Sequence, residues 1–130
     1  MDNMNLFECF NSGKLVIPGL ERDFSSINWS KHATFEGVEL KHIITAAQTG
    51  GQYSYHLVRI SPNKKIELHT HETQLETHEI IAGTGTCLND NININYAPGT
   101  ISVFPIGVKH EVTANEDGLY LFAKFFPALC

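Results

Sequence analysis

Four side chains in this sequence have the types and spacing to hold a divalent metal ion. His69 and His71 stand two apart in Lys65-Ile66-Glu67-Leu68-His69-Thr70-His71. On an extended strand, residues i and i+2 project from the same face, so both imidazoles point one way. Glu76 follows after four residues, on the next expected strand, and His110 follows the turn Pro105-Ile106-Gly107. Three neutral imidazoles and one carboxylate suit a first-row divalent ion: iron, manganese, nickel or zinc. One such ion per chain gives the site roughly one net positive charge by formal addition. An ion that prefers six ligands keeps roughly two positions open for water, substrate or dioxygen. An isolated His-x-His pair carries no such reading. Gln74 is the alternative oxygen ligand if the turn after His71 is shorter than assumed.

Other groups near this set are candidates for chemistry. His78 is two residues past Glu76 and shares its face. It is the first candidate for proton transfer, and a hydrogen-bonded core histidine is its plain alternative. Tyr53 and His56 are lesser candidates on one strand, where register lets only one of the two point inward. His32 and His42 read as surface or structural residues. Tyr120, Phe122, Phe125 and Phe126 read as core and dimer interface. No Gly-x-Ser-x-Gly elbow occurs, and Cys87 has no basic neighbour to activate it, so nucleophilic catalysis is not indicated.

The elements that must position these groups are strands. Short apolar stretches alternate with turn signals at close intervals, the rhythm of an all-β sandwich or barrel. Expected strands cover 37–44, 53–60, 65–71, 76–82, 85–88, 92–96, 100–104, 111–114 and 119–126. Ile92-Asn93-Ile94-Asn95-Tyr96 alternates with period two, as a strand with one buried face does. Gly83-Thr84-Gly85 reads as a turn between strands. Helix signals are weak, with one short helix expected over 3–10. Residues 1–34 read as an N-terminal arm or strand at a dimer interface, and 35–130 as the barrel domain.

A length of 130 residues suits one core. With 9 Lys and Arg against 14 Asp and Glu, the net charge of −5 argues against nucleic acid or anionic membrane as partner. No run approaches the roughly 20 apolar residues of a membrane span. Three scattered cysteines, with neither Cys-x-x-Cys nor a signal-peptide pattern, fit a cytoplasmic protein.

Taken together, His69-Thr70-His71, Glu76 and Gly83, then Gly99, Pro105-Ile106-Gly107 and His110, resemble the two motifs of the cupin superfamily, with fifteen residues between Gly83 and Gly99. The chain departs from the pattern at Thr100, where many cupins have Asp, and at Ala114, where the second motif has Asn. The resemblance implies a double-stranded β-helix, a jelly-roll-like barrel of two antiparallel sheets with little helix. It implies a metal inside near one mouth, held by His69, His71, Glu76 and His110, and a homodimer. The expected function is a metal-dependent enzyme of dioxygenase, isomerase or lyase type acting on a small oxygen-rich anionic molecule. The alternative is a non-catalytic cupin that binds or senses a small ligand.

Overall fold

Two long strands dominate the fold, and each serves two sheets by bending near a glycine. The structure is a computed structural model and describes residues 3–130; Met1 and Asp2 of the expected arm lie outside them. Helix α1 (Asn3–Asn11) and the hairpin β1 (Lys14–Ile17) and β2 (Leu20–Asp23) precede the barrel. The barrel strands are β3 (Ser30–Lys31), β4 (Val38–Ile44), β5 (Ser54–Ile60), β6 (Lys65–His69), β7 (Leu75–Asn89), β8 (Ile92–Tyr96), β9 (Ile101–Phe104) and β10 (His110–Phe126). A short helix α2 (Ala46–Thr49) links β4 to β5, capped by Thr45 and Gln48.

All barrel pairings are antiparallel, in the order β3-β4-β5-β10-β7-β8, with β6 on β10 and β9 on β7. The second half of β10 (119–125) lies between β5 and the first half of β7. The first half of β10 lies between β6 and the second half of β7. The long strands therefore fold one ladder into the two facing sheets of a jelly roll. The bend is where Gly83 (φ +76°) meets Gly118 (φ +80°), and a Cβ on Gly83 would lie 2.1 Å from the Gly118 carbonyl oxygen. Only glycine allows that approach. The expected turn at 83–85 is thus a bend within one strand, and the expected strands 111–114 and 119–126 are likewise one.

The faces follow the period of two. Ser54, His56, Val58 and Ile60 of β5 point into the barrel. Leu57, on the opposite face, is buried by a second apolar cluster that contains Phe7 of α1, Phe24 and Ile81. Phe7 packs against Tyr120 and Trp29, and burying its ring contributes about 2 kcal/mol. Lys41 fastens this layer: its Nζ donates to the Asn11 and Phe24 carbonyls, both at 2.9 Å, at the C-terminal end of α1. Burial lowers the Lys41 pKa. No helix among the described residues is long and apolar enough to cross a membrane.

Candidate metal centre

His110 opens β10 and stands opposite His69 of β6 in the antiparallel register. Cross-strand partners on one face lie about 5 Å apart, and here the two ring centroids are 4.2 Å apart. Glu76, near the start of β7, pairs with Phe104 and Phe125. Strand β6 ends at Lys65–His69, so His71 lies beyond it and not on the strand expected through residue 71. Its place is set instead by the Pro105-Gly107 turn, where the Gly107 N–H donates to the His71 carbonyl at 2.9 Å. One ligand atom from each of His69, His71, Glu76 and His110 lies within 4.8 Å of the other three.

The ring orientations suit a shared ion. Nδ1–H of His69 donates to the Glu67 carbonyl at 2.7 Å, and Nδ1–H of His110 donates to the Val108 carbonyl at 3.2 Å. Each bond puts the proton on Nδ1 and leaves Nε2 with a free lone pair, the usual arrangement behind a ligating histidine. Phe104 stacks on His110 at 4.1 Å and fixes its plane. Glu76 Oε1 lies 2.9 Å from His110 Nε2 and 3.3 Å from His71 Nε2. Yet Glu76 Oε1 and His110 Nε2 are buried and form no hydrogen bond with each other or with anything else in the protein. Buried polar atoms without partners are costly, and a cation between them would satisfy both. The donor set and these orphaned atoms fit a divalent transition-metal ion.

Burial alone would raise the Glu76 pKa, but His78, His110 and His71 outweigh it and hold the carboxyl well below its usual range. Burial lowers the pKa of His69, which keeps its lone pair available. His78 is buried and faces inward, and both its ring nitrogens are occupied: Nε2 meets Glu76 Oε2 at 2.8 Å and Nδ1 meets the Tyr96 hydroxyl at 3.0 Å. Tyr96 in turn bonds the Ser102 hydroxyl. Gln74 does not join the ligands; its amide donates to the Ala128 carbonyl at 3.0 Å.

A cavity of about 140 Å³ opens beside these residues, and His69, His71, Glu76 and His78 line it. Its remaining wall is mostly apolar, with Val58, Leu121, Phe125 and Leu129, and among the described residues no Lys or Arg lines it. His32, expected at the surface, also lines it. Its Nδ1 accepts the Thr34 and Phe35 N–H groups, which places the neutral ring's proton on Nε2. Phe125, expected as core or interface, is core and cavity wall together. Tyr53 is outside the cavity lining, with its ring against Tyr55 and Phe126. His56 points into the barrel but is separately engaged, with Ser54 and His42. Sequence reasoning missed Tyr96, Ser102, His32 and Leu129. The structure buries Tyr96 and Ser102 on the inward faces of β8 and β9, and nothing in the sequence showed which residue each would meet.

The sequence matches the Cupin domain family over residues 56–122. Among solved structures, a predicted oxalate decarboxylase from Thermotoga maritima superposes with a TM-score of 0.72 at 18% identity, covering 79% of this chain and 95% of that one. An RmlC-like cupin from Shewanella frigidimarina gives 0.70 at 13% identity, covering 81% and 87%. KdgF from a Halomonas species gives 0.68 at 17% identity, covering 77% and 86%. At such identities these structures speak for the fold alone. No curated protein matches significantly. The family match spans both halves of the barrel and includes His69, His71, Glu76 and His110, and the fold is that of the structural neighbours: the chain belongs to the cupin family.

Proposed function

We propose that this cupin is a metal-dependent enzyme of dioxygenase, isomerase or lyase type, with His69, His71, Glu76 and His110 holding one divalent transition-metal ion per chain. The observation that carries the reading is the buried orphaned pair, Glu76 Oε1 and His110 Nε2, with Glu76 in the wall of the cavity. Once bound, such an ion supplies Lewis acidity and open positions for oxygen ligands. The protein's own residues do the rest. Backbone carbonyls at 67 and 108 aim two imidazoles, and His78 holds the second Glu76 oxygen in place. The apolar wall excludes water from the ligand.

The cavity limits the substrate. A cavity of about 150 Å³ holds a benzene-sized molecule, so the enclosed part of the ligand is about six non-hydrogen atoms. With no cationic side chain in the described lining, an anionic oxygen group on the substrate would depend on the ion for neutralisation. A small carboxylate, enolate or hydroxy-ketone with a compact carbon skeleton fits these terms. The binding-module reading is favoured by one observation: both His78 nitrogens are engaged, so the first candidate for proton transfer has no free ring nitrogen. Metal analysis of protein purified without chelator or nickel resin, followed by aerobic and anaerobic screening of such acids, tests the proposal. Turnover with oxygen uptake supports a dioxygenase, and turnover without it an isomerase or lyase. Tight ligand binding with no turnover under any reconstituted metal makes it a binding module.

We also propose a homodimer, supported by the outward apolar residues Ile92, Ile101 and Val103 on β8 and β9. The division into an arm over 1–34 and a barrel over 35–130 has support in the docking of α1 on the outer sheet face, although β3 already pairs with β4 at residues 30–31. The free thiols of Cys9, Cys87 and Cys130 favour a cytoplasmic setting.

A further inference from the structure

A second set of nitrogen and sulfur donors gathers at the end of the chain. His42 of β4 and His56 of β5 are directly opposed in the antiparallel register, and their Nδ1 atoms lie 2.7 Å apart. Cys130 brings its sulfur to the same place, with one donor atom from each of the three within 4.8 Å of the others. The group is distinct from the first centre, and Phe125 packs against both, with its ring centroid 5.1 Å from His71 and 5.5 Å from His56.

The thiol is held there by a fixed segment. Ala128 N–H donates to the Gly51 carbonyl at 3.1 Å, Leu129 N–H to Ser54 Oγ at 2.8 Å, and the Cys130 main-chain oxygen accepts from Ala46 N–H at 2.7 Å. His56 has the second-nitrogen partner of a ligating histidine. Ser54 Oγ stands 2.8 Å from His56 Nε2 and can accept its proton, which would leave the His56 Nδ1 lone pair facing His42 and Cys130. His56 is fully buried. Two Nδ1 atoms in contact can share only one proton, whereas a cation engages both lone pairs.

We propose that His42, His56 and Cys130 form a second metal site that takes a thiophilic ion, Zn²⁺ in the first instance, and fastens the 127–130 segment to the barrel mouth. Two imidazoles and one thiolate are a zinc donor set, and the exposed side at Cys130 leaves the fourth tetrahedral position to water. Bonds of about 2.0 Å at a tetrahedral angle set two nitrogens about 3.3 Å apart, so the rings need only a small opening from their present contact. On binding, the sulfur–metal bond forms as the Cys130 S–H bond breaks, and one proton passes to solvent with no change of oxidation state. Leu129, which lines the first cavity, would be fixed by the same ion.

Chelator-treated, reduced full-length protein titrated with Co²⁺ and then Zn²⁺ tests this. The wild type should develop a near-ultraviolet thiolate-to-cobalt charge-transfer band that Zn²⁺ abolishes. Cys130→Ser and His42→Ala should lose the band, and His69→Ala, which disables the first centre, should keep it. Zn²⁺ should also slow alkylation of Cys130 by iodoacetamide at least about 10-fold while leaving Cys9 unchanged, because a metal-bound thiolate is a poor nucleophile. No band in the wild type, a band persisting in Cys130→Ser, or equal alkylation of Cys130 with and without Zn²⁺ would overturn the proposal. The His69→Ala arm separates its failure from failure of the first centre, and Cys130→Ser is a near-isosteric change at an exposed side chain.

Discussion

Glu76 Oε1 and His110 Nε2 lie 2.9 Å apart, both buried, without a hydrogen bond between them. Each comes from a different strand, and each has its other polar atom occupied: Glu76 Oε2 by His78, and His110 Nδ1 by the Val108 carbonyl. The two unused atoms therefore share one direction. That is the arrangement of a ligand pair.

Removing either member should remove the ion. Glu76→Gln and His110→Ala are expected to weaken metal binding by more than about 100-fold, beyond the range of an outer partner. Elemental analysis after dialysis reads this directly. In the wild type, metal at 100 times its dissociation constant should add about 2.7 kcal/mol of stability over chelated protein, seen as a higher Tm. Stoichiometric metal in both variants would contradict the ligand assignment.

His78 should behave as a positioning residue for Glu76. His78→Phe deletes the bond to Oε2 at similar volume, so metal affinity should drop about 10–100-fold while saturating stoichiometry stays at one per chain. His78→Gln, which keeps a donor, should recover part of the loss. Complete loss of binding at any metal concentration would make His78 a ligand itself.

The bend in the long strands makes a stability prediction. Gly83→Ala places a Cβ 2.1 Å from the Gly118 oxygen at positive φ, and should cost at least about 2 kcal/mol. Gly99 also has positive φ, at +93°, but nothing lies within 4 Å of its added Cβ. Gly99→Ala should therefore cost only the backbone strain, about 1 kcal/mol. Urea unfolding of the two variants measures the difference.

His56 sets an acid limit in chelated protein. Burial first, and His42 second, push its pKa from 6.5 down to about 4, with Glu76 opposing weakly. Above pH 6.5 the imidazole is neutral in both states and its contribution is complete. As pH falls from 6.5 towards 4, the unfolded chain binds a proton that the folded protein refuses, so stability declines, by at most about 3 kcal/mol. His56→Gln should flatten the dependence of unfolding free energy on pH in this window by up to about 1.4 kcal/mol per pH unit. An unchanged slope would show that His56 takes up its proton in the folded state.

The chemistry of the first centre was legible in the sequence because its identity is local: two imidazoles in one short segment, a carboxylate soon after, and a glycine–proline turn before the last imidazole. Strands were legible for the same reason, since period two shows in any short window, as at 92–96. What the tertiary structure decided was non-local. His110 reaches His69 only because β6 pairs with β10, and that pairing depends on the whole barrel closing. Parity placed His78 inside, but only packing showed that Glu76 and Tyr96 occupy both its nitrogens. The choice between Tyr53 and His56 needed the register of β5, which the inward row from Ser54 to Ile60 settles. The apolar cavity wall and the meeting of Cys130 with two histidines gather residues distant in sequence, which no local pattern encodes.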